Sequence, residues 1–109
     1  MTEIELISTQ IIAAAGEAKS LYIEAIELAK NHDFDNSNKK IEEGDECFLE
    51  CHQVHAQLIQ KDAQTGVTPN ILLIHAEDQM ASCETIKILA EQIIYDQKEI
   101  QEIKALLNK

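Results

Sequence analysis

Leu72-Leu73-Ile74-His75-Ala76-Glu77-Asp78-Gln79-Met80 is the stretch that decides how the chain folds, an apolar run that turns polar at a histidine and, one helical turn later, at an aspartate. Successive residues of a helix advance by about 100°, so His75, Asp78 and Ser82 share a stripe with Ile71, Ile86, Leu89, Ile93 and Ile100. Such a stripe is expected to face a core. A carboxylate buried there needs a partner, a proton or a cation, because an unpaired one costs several kcal/mol. His75 is the nearest candidate partner for Asp78.

Outward from this stretch, three helical patterns are separated by two short turns. The first opens on Thr2-x-x-Glu5, a capping box, and repeats Ile4, Ile7, Ile11, Ala14, Ala18, Leu21, Ala25 and Leu28 at spacings of three and four, giving a helix over about 3–30. Asn31-His32-Asp33-Phe34-Asp35 breaks it and offers carboxylates to cap the next. The second helix, about 35–64, places Ile41, Phe48, Cys51, Val54, Leu58 and Ile59 on its buried side. Gly66 supplies its stop, and Thr68-Pro69 provides an N-cap and a first-turn proline for a third helix over about 70–107. No segment reads as a strand. Gly16 and Gly44, inside helices, each cost about 1 kcal/mol relative to alanine and suggest close helix approach, although a merely tolerated glycine fits as well.

The 109 residues make a single domain, 1–109, with a core that must be aliphatic: two Tyr, two Phe and no Trp. A third helix of this length spans roughly 55 Å, against a radius of gyration of about 13 Å for a compact domain of 100 residues. The first helix also carries a second apolar set, Ile12, Ile23 and Ile26, which asks for a second neighbour. The expectation is all-α, an elongated antiparallel three-helix bundle that buries its remaining apolar face in a homo-oligomer.

Composition excludes several functions. With nine Lys, no Arg and 20 Asp+Glu, the formal charge is −11, which disfavours nucleic acid and suits a basic protein partner. There is no GxxxxGK[ST] loop or GxGxxG turn for ATP or a dinucleotide, and no GxSxG elbow for a hydrolase. Glu3 and Glu5 stand where a signal peptide needs positive charge, no apolar run approaches a membrane span, and three cysteines without framework spacing fit free thiols in a cytoplasmic protein.

Two sets of residues could carry chemistry. Cys47, Cys51 and His55 recur every four residues on the second helix, joined by His52, but the outer two lie about 12 Å apart along the axis, so a metal could take at most two neighbours. Buried thiols and surface histidines are the simpler reading. His75 offers a neutral imidazole lone pair near pH 7, competent to accept a transferable group.

Here the chain resembles a known family, the IIA component of the lactose/cellobiose (chitobiose) class of the phosphoenolpyruvate-dependent sugar phosphotransferase system. His75-Ala76-Glu77-Asp78-Gln79-Met80-Ala81 is similar to the family's His-Ala-Gln-Asp-His-Leu-Met stretch. Gly16-Glu17-Ala18-Lys19-Ser20 resembles its Gly-Glu-Ala-Arg-Ser, and Leu58-Ile59-Gln60-Lys61-Asp62-Ala63 its Leu-Ile-Gln-Lys-Glu-Ala. The resemblance implies a phosphotransferase component in which His75 takes a phosphoryl group from the phosphocarrier HPr and passes it to a cysteine of the IIB component, coupled indirectly to the membrane IIC component that recognises the sugar. It implies a parallel homotrimer, nine helices in all, with Asp78 and its two symmetry mates around a magnesium ion on the threefold axis. The departures are Gln79 for the family's second histidine, Glu77 for its glutamine and Lys19 for its arginine. Glu77 lies about 160° around the helix from His75 and is expected to point away. The rivals are a non-catalytic oligomeric helical adaptor, or a metal protein using Cys51, His52 and His55.

Overall fold

The computed structural model of the protein describes residues 1–109 and contains three helices: α1 (Glu3–Lys30), α2 (Phe34–Thr65) and α3 (Ile71–Leu107). Short turns join them antiparallel into a rod with principal extents of 66 × 19 × 17 Å and a radius of gyration of 17.7 Å. That radius is well above the value of about 13 Å for a compact chain of 100 residues. No helix is long and apolar enough to cross a membrane.

The ends follow local chemistry. Thr2 caps α1 by accepting the Glu5 N–H at 3.1 Å, one half of the anticipated capping box. The α1–α2 turn passes through His32 in the left-handed region, φ 63°, after which Asp33 caps α2 by accepting from the Asn36 N–H at 3.3 Å. Gly66, φ 74°, ends α2 and returns its N–H to the Asp62 carbonyl. The cap of α3 differs from the expectation. Asn70, with extended backbone, accepts from the Leu73 N–H at 2.9 Å, so Thr68-Pro69 stands outside the helix. An asparagine two residues nearer the apolar run outcompetes the threonine because its carbonyl oxygen reaches the N3 amide.

α1 is the central element. It buries nine residues against five for α2 and three for α3, and it packs along both neighbours, which scarcely touch each other. Its buried row is largely alanine, Ala14, Ala15, Ala18, Ala25 and Ala29, with Ile7, Ile11 and Tyr22 as the large members. Small side chains let two helices lie close along its whole length. α3 answers in kind with Ala76, Cys83 and Ala90, one every seven residues, all fully buried.

This changes the reading of α3. Most of the stripe expected to face a core lies on the open surface of the chain: Ile71 is 87%, Leu89 53%, Ile93 36% and Ile100 39% exposed, and of its large apolar members Ile86 alone packs against the core. The small residues, displaced around the helix from that stripe, are the ones that meet α1. One smaller correction concerns Ile59, 57% exposed rather than buried, while Gly16 follows the tolerated-glycine reading, since an added Cβ would meet nothing within 4 Å. Gly44 does mark a close approach, to Tyr22.

Candidate functional site

His75 lies in the second turn of α3 and is exposed, and so is Asp78 one turn further on. The ion pairs of the chain run elsewhere, so Asp78 is not partnered by His75. The problem of a stranded buried carboxylate does not arise within one chain, because the stripe that carries Asp78 is solvated. Ala76 and Met80 hold this part of the helix from beneath, the first fully buried and the second packed against the core.

The departures from the family pattern are placed distinctly. Glu77 turns away from His75, as its position around the helix requires, and accepts from the Nε2–H of His55 on α2 at 2.7 Å. Gln79, on the His75 side, accepts through its Oε1 from the Lys19 ammonium of α1. Two of the three departures are thus bonded to each other. Their separation of 60 positions kept the contact out of reach of sequence reasoning; the one available signal was that both fall in motifs of the same family.

The cysteine–histidine series on α2 disperses. The Cys51 thiol is buried and donates to the Ile11 carbonyl at 3.8 Å. His52 donates through Nδ1 to the Phe48 carbonyl at 3.0 Å, and its ring rests on that of Phe48, 4.4 Å between centroids. His55 is taken by Glu77. No three His, Cys, Asp or Glu side chains of the chain converge as metal ligands, which removes the geometric basis for a helix-borne metal centre. Burial is the main cause that raises the Cys51 and Cys83 thiols above the ordinary range, as expected of packing residues rather than nucleophiles.

On the flank of α3 turned away from His75, where α2 ends and α3 begins, an open, mainly apolar cleft of about 340 Å³ is lined by Leu58, Ile59, Val67, Pro69, Leu73 and Ile74, together with Asp62 and Glu77. It is too shallow and too apolar to enclose a polar small molecule, but it suits contact with another protein's surface.

Fold and site together define an all-helical protein whose His75 imidazole stands open on a surface rather than in an enclosed reaction pocket. The chain belongs to the lactose/cellobiose-specific IIA subunit family of the PTS system, whose family model matches residues 6–98. It is 30% identical over 93 residues to the lactose-specific EIIA component of the PTS system of Staphylococcus epidermidis, a match covering 84% of this chain and 89% of that one. The PTS cellobiose-specific enzyme IIA from Bacillus anthracis superposes with a TM-score of 0.89 at 32% identity, covering 94% of each chain. The same fold appears, at 24% identity and a TM-score of 0.80, over 93% of this chain and 99% of a chain of the IIA(chitobiose)–HPr complex from the N,N'-diacetylchitobiose branch of the Escherichia coli phosphotransferase system.

Proposed function

We propose that the protein is a cytoplasmic phosphocarrier of sugar uptake, in which His75 accepts a phosphoryl group from phospho-HPr and delivers it to a cysteine of the IIB component. The observation that carries this reading is the exposure of His75 on α3, in the stretch that resembles the one holding the family's phosphorylated histidine. A nucleophile that must meet two protein partners in turn has to stand open. The HPr complex of the related chitobiose IIA supports the first of those meetings, and the open setting of His75 suits the small contacts that transient complexes use.

The chemistry needs little from the protein beyond position. The lone pair of His75 Nε2 forms an N–P bond as the donor's N–P bond breaks, and the electron pair of the broken bond stays on the donor's ring nitrogen. With the donor ring protonated at its other nitrogen, it leaves as neutral imidazole, and His75 keeps its own N–H, so no other proton moves. In the second step a thiolate of IIB attacks phosphorus and the N–P electrons return to Nε2. Both are in-line displacements through a loose transition state, governed by alignment and by charge on the phosphoryl oxygens.

The exposed stripe of α3 is the surface on which a homotrimer would close; of the second apolar set of α1 only Ile23 is open, since Ile12 and Ile26 pack against the chain's own core. A monomer would leave Ile71, Leu89, Ile93 and Ile100 in water, apolar side chains of the kind that mark an interaction surface. In that arrangement one Asp78 from each copy would meet on the threefold axis. Carboxylate oxygens suit a hard divalent cation such as magnesium, which supplies neutralisation of three converging anions. One chain alone does not assemble such a site.

The test is onward transfer. Protein phosphorylated on His75 is mixed with IIB, and the phosphoryl group is expected on the IIB cysteine within seconds. Retention on the IIA chain with every cellobiose-, lactose- or chitobiose-type IIB supplied would remove the relay.

A further inference from the structure

Of the nine lysines, four are less than fully exposed: Lys19, Lys40, Lys61 and Lys87. Three of these are neutralised by carboxylates, Lys40 by Glu24 and Glu43, Lys61 by Glu3 at 2.8 Å and Lys87 by Asp45 at 3.1 Å. Lys19 is the exception. In a chain with a formal charge of −11 its ammonium meets no carboxylate and rests on the neutral amide oxygen of Gln79. A half-buried cation held by a neutral acceptor has forgone the stronger interaction available to it.

Its location gives that charge a use. Gln79 follows His75 by four residues, so the two side chains are neighbours on one face of α3, their Cβ atoms about 5–6 Å apart. Gln79 also lies between His75 and the buried row Ala76–Cys83–Ala90 that meets α1, which sets the Lys19 ammonium on the α1 flank of the His75 stripe. The Lys19 charge draws the Cys83 thiol down against its burial, as expected for an ammonium lying along the 79–83 turn. A phosphoryl group on His75 brings about two negative charges and three acceptor oxygens to the side of α3 on which Gln79 holds the Lys19 ammonium.

We propose that Lys19 binds the phosphoryl oxygens of phospho-His75, with Gln79 holding the ammonium in readiness while the histidine is free. This rests on the phosphocarrier reading. Lys19 neither forms nor breaks a bond to phosphorus; it exchanges its Gln79 hydrogen bond for a charge-assisted one and thereby favours phosphoryl residence on this protein over HPr. Gln79, which touches Lys19 and not the reacting atoms, is a positioning residue.

The experiment compares native protein with Lys19→Arg and Lys19→Gln, each equilibrated with a fixed ratio of phospho-HPr to HPr, and reads the phosphorylated fraction by intact mass under basic conditions. Lys19→Arg is expected within about twofold of native, and Lys19→Gln is expected to shift the partition toward HPr by about tenfold, the worth of one charge-assisted hydrogen bond. An unchanged partition in folded Lys19→Gln overturns the proposal. Should that variant lose its helix content, the native protein decides: acylation of Lys19 by an amine reagent is expected to slow on phosphorylation relative to exposed Lys39, and equal rates overturn the proposal. Native protein that takes no label from phospho-HPr removes the phosphocarrier reading and the Lys19 role together, whereas labelled His75 with an indifferent Lys19 removes only the latter.

Discussion

The ring of Tyr22 occupies the space that a side chain on Gly44 would need: a Cβ there would lie 2.7 Å from Cε1 and 3.0 Å from Cδ1. The ring cannot retreat, because its hydroxyl donates to Asp45 at 2.7 Å and the same carboxylate oxygen takes Lys87 at 3.1 Å. One residue from each helix meets at this point. Gly44→Ala is therefore expected to destabilise the protein by about 1–3 kcal/mol through overpacking, in spite of alanine's better helix propensity. Urea unfolding checks it, and a midpoint at or above that of the native protein would show that the ring yields.

Alkaline pH should weaken the fold through Cys83. Burial pushes its thiol up to about 11 from the usual 9.0, with Cys51 adding and the Lys19 and Lys87 charges opposing. Above pH 9 the unfolded chain gives up this proton while the folded one keeps it, so stability is full below that pH and declines as pH rises toward 11. Tyr22, raised by burial first and by its hydrogen bond to Asp45 second, acts in the same direction at still higher pH. Unfolding midpoints between pH 8 and 11 should fall more steeply for native protein than for Cys83→Ala; parallel curves would contradict this.

Helix ends and element types were largely legible in the amino-acid sequence, because Thr2, Asp33 and Gly66 act locally and each cap needs only its own next turn. The burial of α3 was not. Large β-branched residues dominate a helical pattern by eye, so Ile71, Ile93 and Ile100 drew attention, while the row that meets α1, Ala76, Cys83 and Ala90, is quiet in hydropathy and decisive in shape. At the site, the turn of Glu77 away from His75 followed from position on the helix, whereas the exposure of His75 did not, because its stripe was expected to face a core. The Lys19–Gln79 bond did not, since nothing local couples α1 to α3, and neither did the engagement of His55 by Glu77.

Assembly can be tested on the exposed stripe. Native protein is expected to sediment at about three times the mass of the 12.2 kDa chain, and Ile93→Glu, which sets a charge on that stripe, at the mass of one chain with its helix content kept. A native protein sedimenting as a single chain would refute the trimer.

Magnesium on the threefold axis predicts a particular stoichiometry. After dialysis, native trimer should retain one divalent ion per three chains, and Asp78→Asn none, with the trimer itself persisting on its apolar contacts. Equal metal content in the two proteins would rule out an axial site at Asp78.

The most direct measurement concerns His75 itself. The protein is incubated with phosphoenolpyruvate, enzyme I and HPr, and its intact mass and modified peptide are read under basic conditions, where phosphohistidine survives. The account predicts one phosphoryl group per chain, located on His75 and absent from His75→Ala, with His32, His52 and His55 unmodified. Native protein left unmodified, or a label that persists in His75→Ala, would contradict it.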